Sequence, residues 1–199
     1  MKILILIISV ILILFLILQS FTVMSTQKTE IQKYRVVHSE EEFEIRFYPS
    51  ATFATIKSDA KTYRELSSPG FRKLAGYIFG GNESETKISM TSPVQMDIND
   101  SISAMSFVMP SGYSTDNLPK PNDSQVIIHK TQDEYVAALR FSGFSSDHAI
   151  LHHSEELKAL LISKGIIYTG NFRFLGYNPP WQLVGRRNEI IVTVQWEDK

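Results

Sequence analysis

The chain begins with a long apolar segment, and this segment decides where the rest of the protein can work. Ile3–Leu18 is a run of sixteen residues interrupted by a single serine, and no charged residue follows Lys2 until Lys28. At about 1.5 Å per residue the run spans about 24 Å as a helix, and the uncharged residues after it supply the remainder of a hydrocarbon core of about 30 Å. Residues 1–24 therefore predict a transmembrane helix that anchors the chain, and residues 25–33 predict a polar linker.

A cleaved signal peptide is the competing interpretation of the same segment. The apolar region of a signal peptide is usually about 7–15 residues long and ends at a small-residue cleavage site. The run in this chain is longer and no such site follows it, so the sequence favours an uncleaved anchor while both interpretations stay open. Both place the following domain outside the cytoplasm if Lys2 stays inside, although Lys28 and Lys33 make the flanking charge difference small.

Composition limits the partners and the chemistry available to the remainder of the chain. The net charge is −1, so no electrostatic case exists for binding nucleic acid. The sequence contains no cysteine, which excludes disulfides and thiolate chemistry. Residues 34–197 are enough for one domain with its own hydrophobic core.

The same order of elements occurs twice after the linker. In the first half, Phe43–Phe47 alternates apolar and polar residues and predicts a strand, and residues 52–57 predict a second strand. Ser68 followed by Pro69 predicts the start of a helix, which Gly80 ends. Two further strands are predicted at residues 94–98 and 104–109.

The second half repeats this order. Residues 126–130 and 135–141 predict a hairpin, and Ser145 or Ser146 predicts the cap of a helix that is stopped by Gly165. Final strands are predicted at residues 172–175 and 190–196. The order strand–strand–helix–strand–strand, found twice, predicts an α+β domain with pseudo-twofold symmetry. In it, two four-stranded sheets, each covered by a helix, meet or curl into a barrel.

Several segments are too particular to follow from periodicity alone. They are Phe43–Tyr48, Tyr77–Glu83, Lys87–Val94, Phe141–Phe144, Gly176–Trp181 and Arg186–Ile190. In this order and spacing they resemble the SOUL haem-binding protein family, over residues 34–196. The resemblance implies a distorted β-barrel of two pseudo-symmetric strand–strand–helix–strand–strand halves with two flanking helices, similar to the effector-binding domains of some transcription regulators. The SOUL-type domain then covers residues 34–197, preceded by the transmembrane helix.

The resemblance also implies a ligand class. Family membership implies non-covalent binding of haem or a related tetrapyrrole rather than an enzymatic reaction, and no catalytic motif is found in the sequence. With the N-terminal segment, this becomes a membrane-anchored, extracytoplasmic domain that captures, buffers or transfers haem. Two alternatives stay open: a module for a different apolar small molecule, or an anchored interaction domain with no small ligand. The sequence does not identify a protein partner, which stays unknown.

A porphyrin is a flat apolar plate with two propionates, so its site needs apolar walls and a cationic or amide group at the mouth. Phe71, Leu74 and Ile78 share one stripe of the first helix and are candidate walls of such a pocket, together with Trp181. The stripe equally fits ordinary core packing.

Arg187 is the candidate partner for a haem propionate. It stands beside Asn188 and Glu189 at the entry to the last strand. An arginine–glutamate pair and an asparagine turn that fix the loop are the favoured structural interpretation of the same residues.

Iron ligation is the part of the resemblance that this chain does not match. Some members of the family carry a histidine where this chain has Phe47. His153 falls within the apolar arc of the second helix and is the candidate axial ligand, although a half-buried structural histidine is the favoured interpretation. His148 and His152 lie four residues apart on a polar face, but two ligands alone make a weak site for zinc or copper, so no metal is assigned.

Overall fold

The structure is a computed structural model that describes residues 2–197, in which the chain forms three helices and eleven strands. The helices are α1 (Lys2–Lys28), α2 (Tyr63–Ile78) and α3 (Asp147–Ser163). The strands of the first half are β1 (Glu30–Ile31), β2 (Arg35–Ser39), β3 (Phe43–Tyr48), β4 (Thr52–Ser58), β5 (Thr91–Ser92), β6 (Val94–Asp97) and β7 (Ser103–Val108). Those of the second half are β8 (Ile127–Lys130), β9 (Glu134–Phe141), β10 (Tyr168–Gly176) and β11 (Asn188–Val194).

The main sheet shows the predicted duplication in its strand order. Nine strands pair in the order β2-β3-β9-β11-β10-β6-β7-β4-β8. Each half has four principal strands, which are β3, β4, β6 and β7 in the first half and β8, β9, β10 and β11 in the second. From the central β10–β6 pair the order runs outward as β6, β7, β4 and then β8 on one side, and as β10, β11, β9 and then β3 on the other. Each side therefore ends its own three strands with the first strand of the other half. Apart from β2, which adds one unmatched strand at an edge, the order is therefore symmetric about β10–β6, and the α+β class is confirmed.

The exchange of first strands corrects the predicted pairing. Residues 126–130 and 135–141 do not form a hairpin, because β8 pairs with β4 and β9 pairs with β3. Alternation along a strand shows which face is buried, but it does not show which strand lies alongside. The two predicted four-stranded sheets are one continuous sheet, since β6 of the first half pairs with β10 of the second.

The sheet is open rather than a closed barrel. Within residues 2–197, β2 and β8 are its two edges, and they pair only with β3 and β4 respectively. The expected barrel is therefore shown only in part, because the structure has one open sheet that α2 and α3 cover. No ladder of backbone hydrogen bonds joins the β2 and β8 edges within this described range.

Helix α2 begins earlier than the sequence predicted. Thr62 is its N-cap, with Oγ1 accepting a hydrogen bond from the N–H of Glu65 at 3.2 Å. The Glu65 carboxylate in turn accepts from the N–H of Lys61 at 2.8 Å, so two free amides at the helix start are satisfied. The predicted start at Ser68 and Pro69 is wrong, because the cap at Thr62 stabilises a start six residues upstream and the proline lies inside the helix.

Helix α3 matches its prediction. Ser146 is the N-cap and accepts from the N–H of Ala149 at 3.1 Å. The chain leaves the helix at Gly165, whose φ of +67° is the left-handed conformation that glycine adopts without strain.

Both helices pack on one face of the sheet and form the main core with it. Helix α2 lies on β4 and β7, and α3 lies on β9, β10 and β11. Leu74 of α2 and Leu157 of α3 are fully buried in this core. A smaller cluster lies on the opposite face, and it consists of Tyr48, Val136, Ala138, Leu175, Tyr177 and Ile191, with Tyr34 packed against it.

Helix α1 stands apart from this core. The most apolar 18-residue stretch within Lys2–Thr26 has a mean hydropathy of 3.1, and only 6% of that stretch is buried in the protein. The helix is therefore long and apolar enough for a membrane span or a signal sequence. It continues to Lys28, so the first residues of the predicted linker are helical, and β1 then pairs in parallel with β5.

Candidate functional site

The N-terminal ends of α2 and α3 meet the segment between β10 and β11, residues 177–187, which we call the β10–β11 loop. The N–H of Tyr63, at the start of α2, donates to the carboxylate of Asp147, at the start of α3, at 2.5 Å. Arg186 of the loop donates from Nε to the carbonyl of Gly143 at 3.2 Å, and its guanidinium lies 4.8 Å from the centre of the Phe144 ring. Three separate segments of the chain therefore share one end of the domain.

A row of aromatic rings runs beneath this junction. Tyr63 packs edge-on against Phe174, with 5.6 Å between ring centres, and Phe174 lies 6.3 Å from Phe141. Phe141 stacks on His153 of α3 at 4.1 Å. The row connects α2 to α3 across β10 and β9 and places one imidazole at its end.

The outer side of the junction is apolar and exposed. Phe144, Trp181, Leu183 and Val184 are each between 45% and 65% exposed, and we call these four residues the loop patch. Three of the four lie within five residues of each other on the β10–β11 loop, and Phe144 joins them through its contact with Arg186. Such a concentration of large apolar side chains is typical of a surface that contacts something other than water.

His153 has the hydrogen-bond pattern of an oriented imidazole ligand. Its Nδ1 lies 2.7 Å from the carboxylate of Glu156, one turn further along α3. Its Nε2 has no hydrogen-bond partner within residues 2–197, and the side chain is half-buried. A carboxylate that holds one imidazole nitrogen fixes the ring and leaves the other nitrogen available as a ligand.

Further donors surround His153. Ligand atoms of His152, His153 and Glu156 lie within 4.8 Å of one another, and His148 stacks on His152 with 6.3 Å between ring centres. The sequence paired His148 with His152 and missed Glu156, although its spacing of three residues from His153 was a usable signal. Three nitrogen and oxygen donors suit a divalent ion such as zinc or copper, so this group could hold a metal.

The base of the β10–β11 loop is held by a buried charged cluster centred on Glu189. This carboxylate accepts hydrogen bonds from Arg46 at 2.7 Å, from Arg187 at 2.9 Å and from the Tyr177 hydroxyl at 2.8 Å. Burial alone would raise the pKa of Glu189, but the hydrogen bonds and charge of Arg46, with the charge of Arg187, hold that pKa below its ordinary value. The cluster therefore keeps its carboxylate ionised and fixes both ends of the loop.

Arg187 lies in this cluster, as its favoured structural interpretation expected. Besides Glu189, its guanidinium donates to the hydroxyl of Tyr34 at 3.1 Å and lies 4.0 Å from the centre of the Tyr177 ring. The predicted asparagine turn is wrong, because Asn188 is the first residue of β11 and its side chain instead donates to the distant carbonyl of Gly143 at 2.8 Å. The charge of Arg187 is thus already compensated by a carboxylate.

The predicted wall residues are not brought together. Leu74 and Ile78 are buried in the main core, whereas Phe71 is exposed and packs edge-on against Phe107 of β7 at 5.3 Å. Trp181 lies on the loop patch at the junction of the helix ends, and His153 lies below it at the end of the aromatic row. Periodicity placed Leu74 and Ile78 on the buried stripe correctly, but it could not distinguish a core from a pocket.

Two clefts lie away from these residues. One, of about 550 Å³, is lined by Tyr135, Ile166, Ile167, Val194 and Trp196. The other, of about 390 Å³, lies beside β1 and is lined by both polar and apolar residues. None of the predicted site residues lines either cleft.

Known proteins resemble this chain in sequence. Heme-binding protein 2 of Mus musculus is 31% identical over 156 residues, which cover 74% of this chain and 76% of that protein. Heme-binding protein 2 of Homo sapiens is also 31% identical over the same shares of both chains. Heme-binding protein 1 of Xenopus laevis is 28% identical and covers 81% of that protein.

Solved structures resemble the fold. The C-terminal domain of EcmrR superposes with a TM-score of 0.58 at 9% identity, over 82% of this chain and 99% of that domain. A hydrolase from Listeria innocua superposes with a TM-score of 0.53 at 11% identity, over 78% of this chain and 93% of that one. At these identities the likeness concerns the fold alone. In sequence, residues 29–193 match the family described as SOUL heme-binding protein, and the chain belongs to that family.

Proposed function

We propose that this chain binds haem or a related tetrapyrrole non-covalently, and that α1 anchors the binding domain in a membrane. The proposal rests chiefly on membership of the SOUL family, with relatives named Heme-binding protein 1 and 2 that align over most of the domain. A binding role without catalysis is part of the proposal.

The side chains at the helix-end junction fit this ligand class. His153 supplies an imidazole nitrogen without a hydrogen-bond partner in residues 2–197, and Glu156 orients the ring. Exposed aromatic surface is available there from Trp181 on the loop. We therefore assign His153 as the iron ligand and the Trp181 ring as an apolar contact, whereas Phe71 packs on Phe107 of β7, away from this junction. When bound, the haem iron would supply a Lewis-acidic centre for the imidazole.

Arg187 has a smaller part in the proposed site than the family resemblance suggested. Its charge is compensated by Glu189 and its guanidinium is already bonded to Tyr34, so a propionate would compete with an existing ion pair. Affinity is then expected to come mainly from apolar contact. Burying a few hundred Å² at about 25 cal/mol per Å² gives a gross gain near 10 kcal/mol before association costs.

The membrane part of the proposal rests on α1. Its apolar side chains from Ile3 to Leu18 are almost all exposed, and together they favour transfer into a bilayer by several kcal/mol, at about −0.3 to −0.6 kcal/mol for each Leu, Ile, Phe or Val. We place the domain on the extracytoplasmic side, with Lys2 inside. A tethered domain can then take up or release hydrophobic tetrapyrroles at the bilayer.

Titration of the full chain in lipid nanodiscs tests the ligand assignment, with empty nanodiscs as the blank. Haemin should bind with a shift of its Soret band, and metal-free protoporphyrin should bind more weakly. The variant His153→Ala should lose the Soret shift of the ligated iron yet keep part of the porphyrin affinity. His152→Ala, which removes the exposed neighbouring imidazole, is the matched control and should keep the shift. If neither compound binds in the micromolar range, the proposed function is wrong.

A further inference from the structure

Helix α1 is joined to the β10–β11 loop by a glutamine in its apolar segment. Gln19 donates from its side-chain amide to the carbonyl of Trp181 at 3.2 Å and accepts from the N–H of Leu183 at 3.0 Å. Seven residues further along α1, which is about two turns, Thr26 donates to the side chain of Gln182 at 2.9 Å. Both halves of the Gln19 amide are therefore bonded to the loop, and the Gln19 side chain is buried.

The position of Gln19 fixes the level of the loop relative to a membrane. Gln19 follows Ile3 by sixteen residues, which is about 24 Å along a helix, whereas a hydrocarbon core is about 30 Å thick. A helix that spans the core from Ile3 therefore reaches Gln19 before it leaves the apolar layer. The loop that bonds to Gln19 lies at the same level.

The loop is built for surroundings that are poor in water, because its own side chains satisfy its backbone. Arg186 donates to the carbonyls of Pro179 and Gln182, each at 2.8 Å. Gln182 donates to the carbonyl of Val184 at 3.0 Å, and Gln19 satisfies the two backbone groups already described. Backbone groups at membrane depth need such partners, since unsatisfied ones cost several kcal/mol in lipid.

The sides of the loop are sharply divided. Gln182 and Arg186 point inward and are almost completely buried, whereas Trp181, Leu183 and Val184 are exposed. Tryptophan is enriched at the membrane–water interface, because its ring is apolar and its N–H is polar.

We propose that the β10–β11 loop enters the interfacial layer of the bilayer that α1 spans, with Trp181, Leu183 and Val184 in contact with lipid. This inference rests on the proposed membrane anchoring and adds an orientation to it. The domain is not free to swing on a flexible linker. The end of the domain at which α2, α3 and the β10–β11 loop meet faces the membrane. His153, which stacks on Phe141, is therefore close to the lipid in which tetrapyrroles dissolve.

Tryptophan fluorescence of the full chain in lipid vesicles tests the orientation, because the chain has two tryptophans. In the variant Trp196→Phe the remaining emission comes from Trp181. It should be blue-shifted and lost when lipids brominated near the headgroup are included. In Trp181→Phe the remaining emission comes from Trp196, which should be quenched by aqueous iodide and not by brominated lipid.

Three further variants, each built on Trp196→Phe, separate lipid contact from simple proximity. Replacing Leu183 and Val184 together by serine should shift the Trp181 emission to the red and expose it to iodide. The matched control replaces Ile127 of β8 and Ile162 of α3, which are similarly exposed, by serine. This control should leave the Trp181 emission unchanged. Gln19→Leu, which keeps α1 apolar but removes the bond to the loop, should also increase iodide quenching.

Extraction with alkaline carbonate distinguishes the two ways of failing. If the chain stays in the membrane fraction but Trp181 is quenched by iodide and not by brominated lipid, α1 is an anchor and the loop inference is overturned. If carbonate releases the chain, the membrane anchoring itself is wrong and the loop inference falls with it.

Discussion

Glu189 and Arg46 form a buried ion pair that bridges β11 and β3 across β9. The two terminal nitrogens of Arg46 donate to the two carboxylate oxygens of Glu189 at 2.7 and 3.2 Å, and the side chains are 4% and 0% exposed respectively. The pair belongs to the cluster at the base of the β10–β11 loop, so it connects the stability of the sheet to the position of the candidate site.

Replacing Glu189 by glutamine should strongly destabilise the domain. The change removes the counter-ion of Arg187 and leaves Arg46 with Glu44 alone, a carboxylate closer to solvent, which costs roughly 3–5 kcal/mol. Urea denaturation followed by circular dichroism measures the loss. The control Glu134→Gln breaks another paired arginine–glutamate contact, with Arg173, that is closer to solvent, and should cost about 1 kcal/mol or less. Equal losses in the two variants would contradict this account.

The same pair predicts a dependence on pH. The pKa of Glu189 is held below its ordinary value of about 4.5, so the folded state binds fewer protons than the unfolded state when the carboxyl titrates. The resulting stability is fully present above the ordinary pKa and is lost as the pH falls through the lower folded value. The free energy of unfolding of the original chain should therefore fall below about pH 4.5. Glu189→Gln should lack this part of the acid dependence.

Two buried tyrosines predict a loss of stability in alkali. Burial raises the pKa of Tyr48 and of Tyr77 to about 12, from an ordinary value of 10. A raised pKa means that stability is complete below pH 10 and is lost as the pH rises toward about 12. Removing either hydroxyl by substitution with phenylalanine should reduce this loss.

At neutral pH the same two substitutions should differ from each other. The Tyr77 hydroxyl donates to the carbonyl of Pro119 at 2.9 Å, so Tyr77→Phe should cost about 1 kcal/mol. The buried Tyr48 hydroxyl has no hydrogen-bond partner in the described residues, so Tyr48→Phe should be neutral or stabilising. Urea denaturation at pH 7 compares the two, and a larger cost for Tyr48→Phe would reverse the expectation.

The start of α2 can be checked by single substitutions. Thr62→Ala removes the N-cap and should cost about 1 kcal/mol of stability. Ser68→Ala changes an exposed residue inside the helix and should stay within about 0.5 kcal/mol of the original chain. Thermal or urea unfolding by circular dichroism measures both. The opposite ranking would restore the helix start that the sequence alone suggested.

Glu156 should tune iron binding through His153. Removal of an outer carboxylate partner usually lowers metal affinity about 10–100-fold, so Glu156→Gln should weaken haemin binding by that order. Binding of metal-free protoporphyrin should not change, because it has no iron to ligate. Glu155→Gln removes the neighbouring acidic residue, which pairs with Lys158, and is the matched control. An equal effect of both variants on haemin would argue for a general charge effect.

Local features of the fold were readable without the structure. The alternation of Phe43–Phe47 identified β3, and Ser146 and Gly165 identified the ends of α3, because each depends on residues close in sequence. The duplicated element order also gave the fold class. Strand pairing could not be predicted from the sequence, because β8 pairs with a strand of the other half and only the assembled sheet shows that exchange.

The candidate site was predictable only in parts. His153 lay within the apolar arc of its helix, and the alternative pairing of Arg187 with Glu189 followed from their neighbouring positions. The contacts that give these residues meaning join distant segments: Phe141 on His153, Arg46 on Glu189, and Gln19 on the β10–β11 loop.

The sequence by itself determined the apolar N-terminal segment, the α+β class and the family of this protein, because all three depend on residue type and order. The tertiary structure alone decided that Leu74 and Ile78 belong to the core, that Arg187 is already paired and that α1 is bonded to the β10–β11 loop. The physical reason is that burial and ion pairing are settled by which surfaces meet after folding, and residues far apart in sequence supply those surfaces.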